Sequence, residues 1–310
     1  MRTITPNSPL AWLLAARPKT LTGAIIPILL GSALAFSDGQ FKVVPALLCA
    51  LFACGMQIAA NFINDLFDFL KGADREDRLG PQRACAEGWI TPRAMRRGIG
   101  LTLLLSCLAG LGVLFNIWTQ LPYGGWGQLP YGGWELVALG AACILFAFLY
   151  TTKLSYLGWG DVLVLVFFGF VPVGGTYYVQ AYTLNADVAV LSLVSGLVID
   201  CLLMVNNYRD REQDAVSGKR TLVVRYGKRF GENLYLALGI ASTLLCLWFT
   251  RTGRLTPLEF IWAPCVYLCL HVLTWRRMVR IGSGKELNTI LGETSRNMLL
   301  LGVLLAAAMA

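Results

Sequence analysis

Two short stretches of the chain combine amides and carboxylates at a spacing that puts them on one face of a helix. Asn64-Asp65-x-x-Asp68 closes one apolar run, and Asn206-Asn207-x-x-Asp210-x-x-x-Asp214 closes another. Upstream of the first, Gln57 and Asn61 continue the steps of three and four, giving a stripe of Gln57, Asn61, Asn64, Asp65 and Asp68. Asp74, Glu76 and Asp77 follow just beyond it. Carboxylates at the end of a membrane helix are costly in lipid and face a cavity or a partner. Carboxylates beside amides, without histidine or cysteine, are hard oxygen ligands that suit Mg2+. Magnesium keeps some of its water and favours phosphate oxygens, so two such motifs imply a metal-bridged diphosphate. Carboxylates alone would repel that anion, so the metal and nearby cations must reverse the field. Lys71, Arg78, Arg83, Lys153, Arg209, Lys219 and Arg220 are the candidate cations. Asp200 lies inside an apolar run, seven residues before Asn207 and so on the same face. It is expected either to meet the hydroxyl of an acceptor, as hydrogen-bond partner or proton acceptor, or to be buried and neutral.

The elements that must position these residues are membrane helices. The 310 residues are 56% apolar and only 14% charged, with a mean hydropathy of +0.60. A soluble domain carries about a quarter charged residues. Apolar runs near the ~20 residues that span a bilayer recur at Leu21–Phe36, Val43–Ile63, Ile99–Trp118, Leu136–Tyr150, Val162–Val179, Val188–Val205, Leu234–Phe249, Phe260–Trp275 and Met298–Met309. These predict an all-α, polytopic chain: nine transmembrane helices in a single bundle, one domain over 1–310, enclosing a cavity open to the cytoplasmic side. The first run is read as a retained helix rather than a signal peptide, because it starts some way into the chain and the others follow. With the N-terminus in the cytoplasm, 23 of the 26 lysines and arginines fall on the cytoplasmic side. Only Lys42, Arg251 and Arg254 fall on the other. The net charge of +8 is therefore mostly a topology signal and calls for no nucleic-acid partner. The expected location is the plasma (inner) membrane, with the C-terminus outside and the active site facing the cytoplasm.

The nine cysteines form no Cys-x-x-Cys pair and act as small hydrophobes, and the single histidine, His271, is read as a packing residue. Gln120-Leu-Pro-Tyr-Gly-Gly-Trp126 is duplicated at Gln128–Trp134, an expansion of an outward loop. The two acid–amide motifs, four helices apart, suggest two similar halves.

The motifs carry a family resemblance. Asn64-Asp65-Leu-Phe-Asp68 with Asp74, and Asp210-Arg-Glu-Gln-Asp214, resemble the two aspartate-rich motifs of the UbiA-type intramembrane prenyltransferases. Tyr150-Thr-Thr-Lys153 is similar to that family's Tyr-x-x-Lys element. Ala16-Arg-Pro-Lys-Thr20, Asp77-Arg-Leu-Gly-Pro81, Asn206-Asn-Tyr-Arg-Asp210 and Gly218-Lys-Arg-Thr-Leu222 resemble the members that prenylate 1,4-dihydroxy-2-naphthoate. Gly158-Trp-Gly-Asp161 departs from a Gly-Leu-Gly-Glu stretch by its Trp and Asp, and the duplicated loop has no counterpart. The resemblance implies that Asp65, Asp68, Asp74, Asp210 and Asp214 hold Mg2+. It implies that Asn64, Lys71, Arg78, Arg83, Tyr150, Lys153, Arg209 and Lys219 bind the diphosphate of a polyprenyl donor. Asp65, Asp68, Asp210, Asp214, Lys153 and Asp200 are then the catalytic set. The implied reaction joins the prenyl group to the naphthoate ring with loss of CO2 and diphosphate. 4-Hydroxybenzoate is the alternative acceptor. A secondary carrier is the rival class, but carrier sites lie near the midplane whereas these carboxylates cluster at one face.

Overall fold

The computed structural model describes residues 4–72, 78–120, 129 and 133–310. Every regular element among them is helical, which is what a lipid solvent imposes, since backbone groups there must be satisfied internally. Helix α1 (Pro9–Ala16) is capped by the Ser8 hydroxyl, which accepts from the Ala11 amide at 3.3 Å. It ends at Arg17, whose φ of 50° is left-handed. Pro18 disfavours a right-handed helical conformation for the residue before it, and a short 3-10 turn, Pro18–Thr20, follows. Next come α2 (Thr22–Ser37), α3 (Val43–Leu70), α4 (Pro92–Gln120), α5 (Trp134–Leu157), α6 (Gly160–Ala181) and α7 (Ala186–Val216). The short α8 (Leu222–Tyr226) precedes α9 (Lys228–Arg251), α10 (Pro257–Ile281) and α11 (Leu287–Met309). Among the described residues eight helices are long and apolar enough to cross a membrane, and a ninth span is reached if α1 and α2 form one broken span. The chain is an integral membrane protein.

Several helices run further than their apolar stretches. The apolar run at the C-terminus starts at Met298, yet α11 begins at Leu287. Its polar first half has partners on neighbouring helices: Asn297 donates to Thr274 at 2.9 Å, and Thr294 meets the Tyr235 hydroxyl at 2.9 Å. Pairing makes those side chains compatible with a buried helix.

Contacts group the chain into two compact units, Met1–Thr22 with Leu47–Leu154, and Gly23–Ala46 with Ser155–Ala310. The core of the first joins Ala11 and Ala15 of α1, Phe62, Ile63 and Leu66 of α3, and Met95 and Ile99 of α4. One face of α4 shows Leu101, Leu104, Leu108, Leu111 and Phe115 more than half exposed, as a lipid-facing surface does. In the second unit α7 is the most buried of the described spans, flanked by one cluster with α2, α6 and α11 and another with α8 to α11. At the N-terminal end of α7 an ionic knot closes this unit. Arg254 pairs with Asp38 and Asp187, the Trp248 indole donates to Asp187 at 2.7 Å, and the Tyr177 hydroxyl donates to Asp38 at 2.6 Å.

Candidate active site

In the first unit the polar stripe of α3 divides into residues that build and residues that remain available. Asn61 donates to the Ala16 carbonyl and to the Thr20 hydroxyl, both at 2.9 Å, and Gln57 reaches Thr20 at 3.4 Å. These amides hold the turn after Arg17 and so fix the left-handed residue, a conformation that costs about 1–3 kcal/mol and persists only when its surroundings enforce it. Asp65 is 1% exposed, and both of its oxygens accept backbone amides, from Ala84 and Cys85, each at 2.8 Å. The Arg17 guanidinium lies 3.9 Å from the same carboxylate. Asp65 thus organises the turn that carries Arg83.

Arg83 in turn donates to Asp68 at 2.7 Å, a charge-assisted pair at the half-buried end of α3. Asn64, one turn before Asp68, accepts from the Thr151 hydroxyl. Thr151 lies in a π-helical turn, Tyr150–Leu154, where the backbone bonding is displaced. Lys71 donates to the Thr151 and Thr152 carbonyls of that turn at 3.4 and 3.2 Å. Lys153, in the same turn, is exposed. Arg78 donates to the Pro81 carbonyl at 3.2 Å. Asp74, Glu76 and Asp77 lie outside the described residues, as does most of the duplicated loop.

In the second unit the acidic motif occupies the last three turns of α7. Arg209 is 3% exposed and forks onto its neighbour Asp210 at 2.7 and 2.6 Å. Its remaining arm donates to Asn288 of α11 at 2.7 Å. Asp214 lies 3.4 Å from Lys219, whose ammonium sits 5.5 Å from the centre of the Tyr156 ring. Asn206 returns its amide to the Leu202 carbonyl, and Asn207 is buried. Asp200 is 2% exposed on the part of α7 that α6 covers.

Among the described residues no three His, Cys, Asp or Glu side chains converge as a protein-built metal cage would require. The donor set fits a different kind of metal site. Asp68 in the first unit, and Asp210 and Asp214 in the second, each keep a cation at hand, and within either unit such a small number of carboxylate oxygens suits Mg2+ shared with phosphate oxygens and water rather than a protein cage. Sequence spacing did not single out Arg17, Thr151 or Asn288. Pro18 after an arginine was the one readable signal, for Arg17; the other two become visible only through their partners on distant elements.

An all-helical, multi-span protein with carboxylate–amide motifs ending two of its spans is an intramembrane protein equipped for a polyanionic group. Residues 24–291 match the UbiA prenyltransferase family, and the chain belongs to that family. It is 38% identical over 241 residues to the 1,4-dihydroxy-2-naphthoate octaprenyltransferase of Escherichia coli, spanning 76% of this chain and 75% of that protein. It is 32% identical to the protein of the same name from Haemophilus influenzae, over 94% of this chain and 93% of that one. The fold is similar to that of a UbiA homolog from Archaeoglobus fulgidus bound to GPP and Mg2+, with a TM-score of 0.66 at 12% identity. That match covers 96% of this chain and 99% of the other.

Proposed function

We propose that the protein transfers a polyprenyl group from polyprenyl diphosphate to 1,4-dihydroxy-2-naphthoate, releasing CO2 and diphosphate and giving demethylmenaquinol. The observation that carries the acceptor is the near full-length similarity to relatives named for that reaction. The paired acid–amide helix ends support the diphosphate half of the chemistry.

In this reading Asp68 with Asn64, and Asp210 with Asp214, would hold Mg2+. Magnesium bound with the diphosphate supplies the charge neutralisation that lets it leave. Lys153 and Arg78 offset further negative charge. Arg83 and Arg209 hold Asp68 and Asp210 in place through charge-assisted pairs. Asp65 shapes the turn that presents Arg83, and Lys71 shapes the turn that presents Lys153. As the allylic C–O bond breaks, the naphthoate ring carbon that bears the carboxylate forms the new C–C bond. The C–CO2 bond then breaks and its electron pair restores aromaticity. The chain works as one membrane domain over 1–310, with the N-terminus and the diphosphate site on the cytoplasmic side and the C-terminus outside. The placement of 23 of 26 basic residues supports this orientation.

Release of inorganic diphosphate tests this reading. Membranes carrying the protein should release it from a prenyl diphosphate only when both Mg2+ and the naphthoate are supplied. A carrier would move a substrate without consuming it, and absence of diphosphate release would refute the transferase assignment.

A further inference from the structure

Two carboxylates of the second unit, Asp161 and Asp200, stand apart from the aspartate motifs. They belong to α6 and α7, and the register of that helix pair is set by glycines. A Cβ on Gly196 would lie 3.0 Å from the Leu165 Cα, and one on Gly169 would strike the Ser192 carbonyl. Between these points Ser195 donates its hydroxyl to the Phe168 carbonyl at 3.0 Å. Residue 169 therefore meets 192, and 165 meets 196. One further turn along each antiparallel helix brings 161 opposite 200.

Both side chains are shielded there, Asp200 at 2% exposure and Asp161 at 9%. Oδ1 of each has no hydrogen-bond partner among the described residues. The first turn of α6 packs against α7, and neither carboxylate takes part in an ion pair among the described residues. The other titratable groups nearby are Cys201 on α7, with Tyr267 of α10 and Tyr235 of α9 behind it, none of them positively charged. From α2 the contact is made by Gly23 against Ile199. Two adjacent carboxylates in such surroundings cannot both stay ionised: they hold a proton or a cation. Two carboxylates alone supply too few oxygens for the six or more ligands of Mg2+ or Ca2+.

We propose that Asp161 and Asp200 share one proton, forming an acid–carboxylate hydrogen bond that clamps α6 to α7 and positions the Asp210–Asp214 end of α7. A second tie helps. The end of α5 is bound to the segment between α7 and α8 and to α8 itself, through Arg220 N donating to the Tyr156 carbonyl at 2.9 Å and Arg225 to the Leu157 carbonyl at 2.7 Å. The start of α6 is thus fixed both to the shaft of α7 and to the segment that carries Lys219.

The clamp has a signature in pH. The unfolded chain carries both aspartates ionised above about pH 4, whereas the folded chain keeps one proton. Folding then takes up a proton. Its equilibrium constant falls tenfold per pH unit as pH rises, until the shared proton is lost from the folded state. Below the ordinary aspartate range both states are protonated and the stabilisation is complete.

The test uses the full chain purified in detergent, with Tm followed from mildly acid to alkaline pH, and needs no substrate, so it stands apart from the identity of the acceptor. Wild type should lose Tm as pH rises. D200N and D161N each place a permanent amide donor against the remaining carboxylate, so both should keep the Tm of wild type at neutral pH while losing the pH-dependent fall. D200A and D161A each leave one carboxylate alone and should lower Tm; D161A should also raise KM for the prenyl diphosphate, with D161N restoring both. The proposal fails if wild type and D200N share one pH dependence, or if both Asn variants are as destabilised as D200A. It also fails if Na+ or Mg2+ alone raises the Tm of wild type but not of D200N, since the pair would then hold a cation.

Discussion

Asp65 and Asp68 stand three residues apart in one motif, yet the structure gives them different work, and Asp65→Ala separates the two roles. Removing the Asp65 carboxylate leaves the Ala84 and Cys85 amides unsatisfied in a site where the side chain was 1% exposed. Each orphaned buried donor costs about 1–3 kcal/mol, so the variant should lose roughly 2–6 kcal/mol of stability. At about 2 °C per kcal/mol for a chain of this size, Tm in detergent should fall by roughly 4–12 °C. Activity should fall as well, because the turn carrying Arg83 loosens. Asp68→Asn removes the charge but keeps an oxygen for Arg83, whose side chain is only 8% exposed, and it orphans no backbone amide. Its Tm should stay near that of wild type while kcat/KM for the prenyl diphosphate drops on the order of a hundredfold or more. Differential scanning fluorimetry and steady-state kinetics on the same preparations measure both. An Asp65→Ala protein with unchanged Tm and severe loss of turnover would refute the division of labour and make Asp65 a direct ligand.

Three further outcomes are expected. Arg209→Lys cannot fork onto Asp210 while reaching Asn288, so under the proposed reading, in which Asp210 holds Mg2+, kcat/KM should fall about 10–100-fold, and wild-type kinetics would remove its positioning role. Lys71→Met frees the Thr151 and Thr152 carbonyls, and the resulting shift of Lys153 should raise KM for the prenyl diphosphate; an unchanged KM would show that the π turn holds itself. A reporter that is active only in the cytoplasm should stay silent when fused after Ala310, and activity there would reverse the topology.

How much of this was legible in the sequence depends on whether a residue's partner is local. The spans, their basic flanks and the acid–amide helix ends are properties of contiguous stretches, and the helices fall where the apolar runs lie. Helix limits were legible only where hydropathy and pairing agree: nothing in Asn297 or Thr294 announces Thr274 and Tyr235 as partners, so the early start of α11 was hidden. The α3 stripe shows the same limit. Helical periodicity treats Asn61 and Asp65 as equivalent to Asn64 and Asp68, whereas the fold spends Asn61 on the turn after Arg17 and Asp65 on the turn before Trp89. Lys71 and Arg209 were readable as cations near a phosphate-type site, but not as the residues that hold Lys153 and Asp210 in place.

The central claim is the acceptor and the bond made to it, and product identification tests it most directly. Purified protein is incubated with Mg2+, one polyprenyl diphosphate and equal amounts of 1,4-dihydroxy-2-naphthoate and 4-hydroxybenzoate, and the lipid products are identified by mass. The account predicts a prenylated naphthoquinol that has lost the mass of CO2, formed with the higher kcat/KM. A dominant product that retains its carboxylate on a benzoate ring would contradict it.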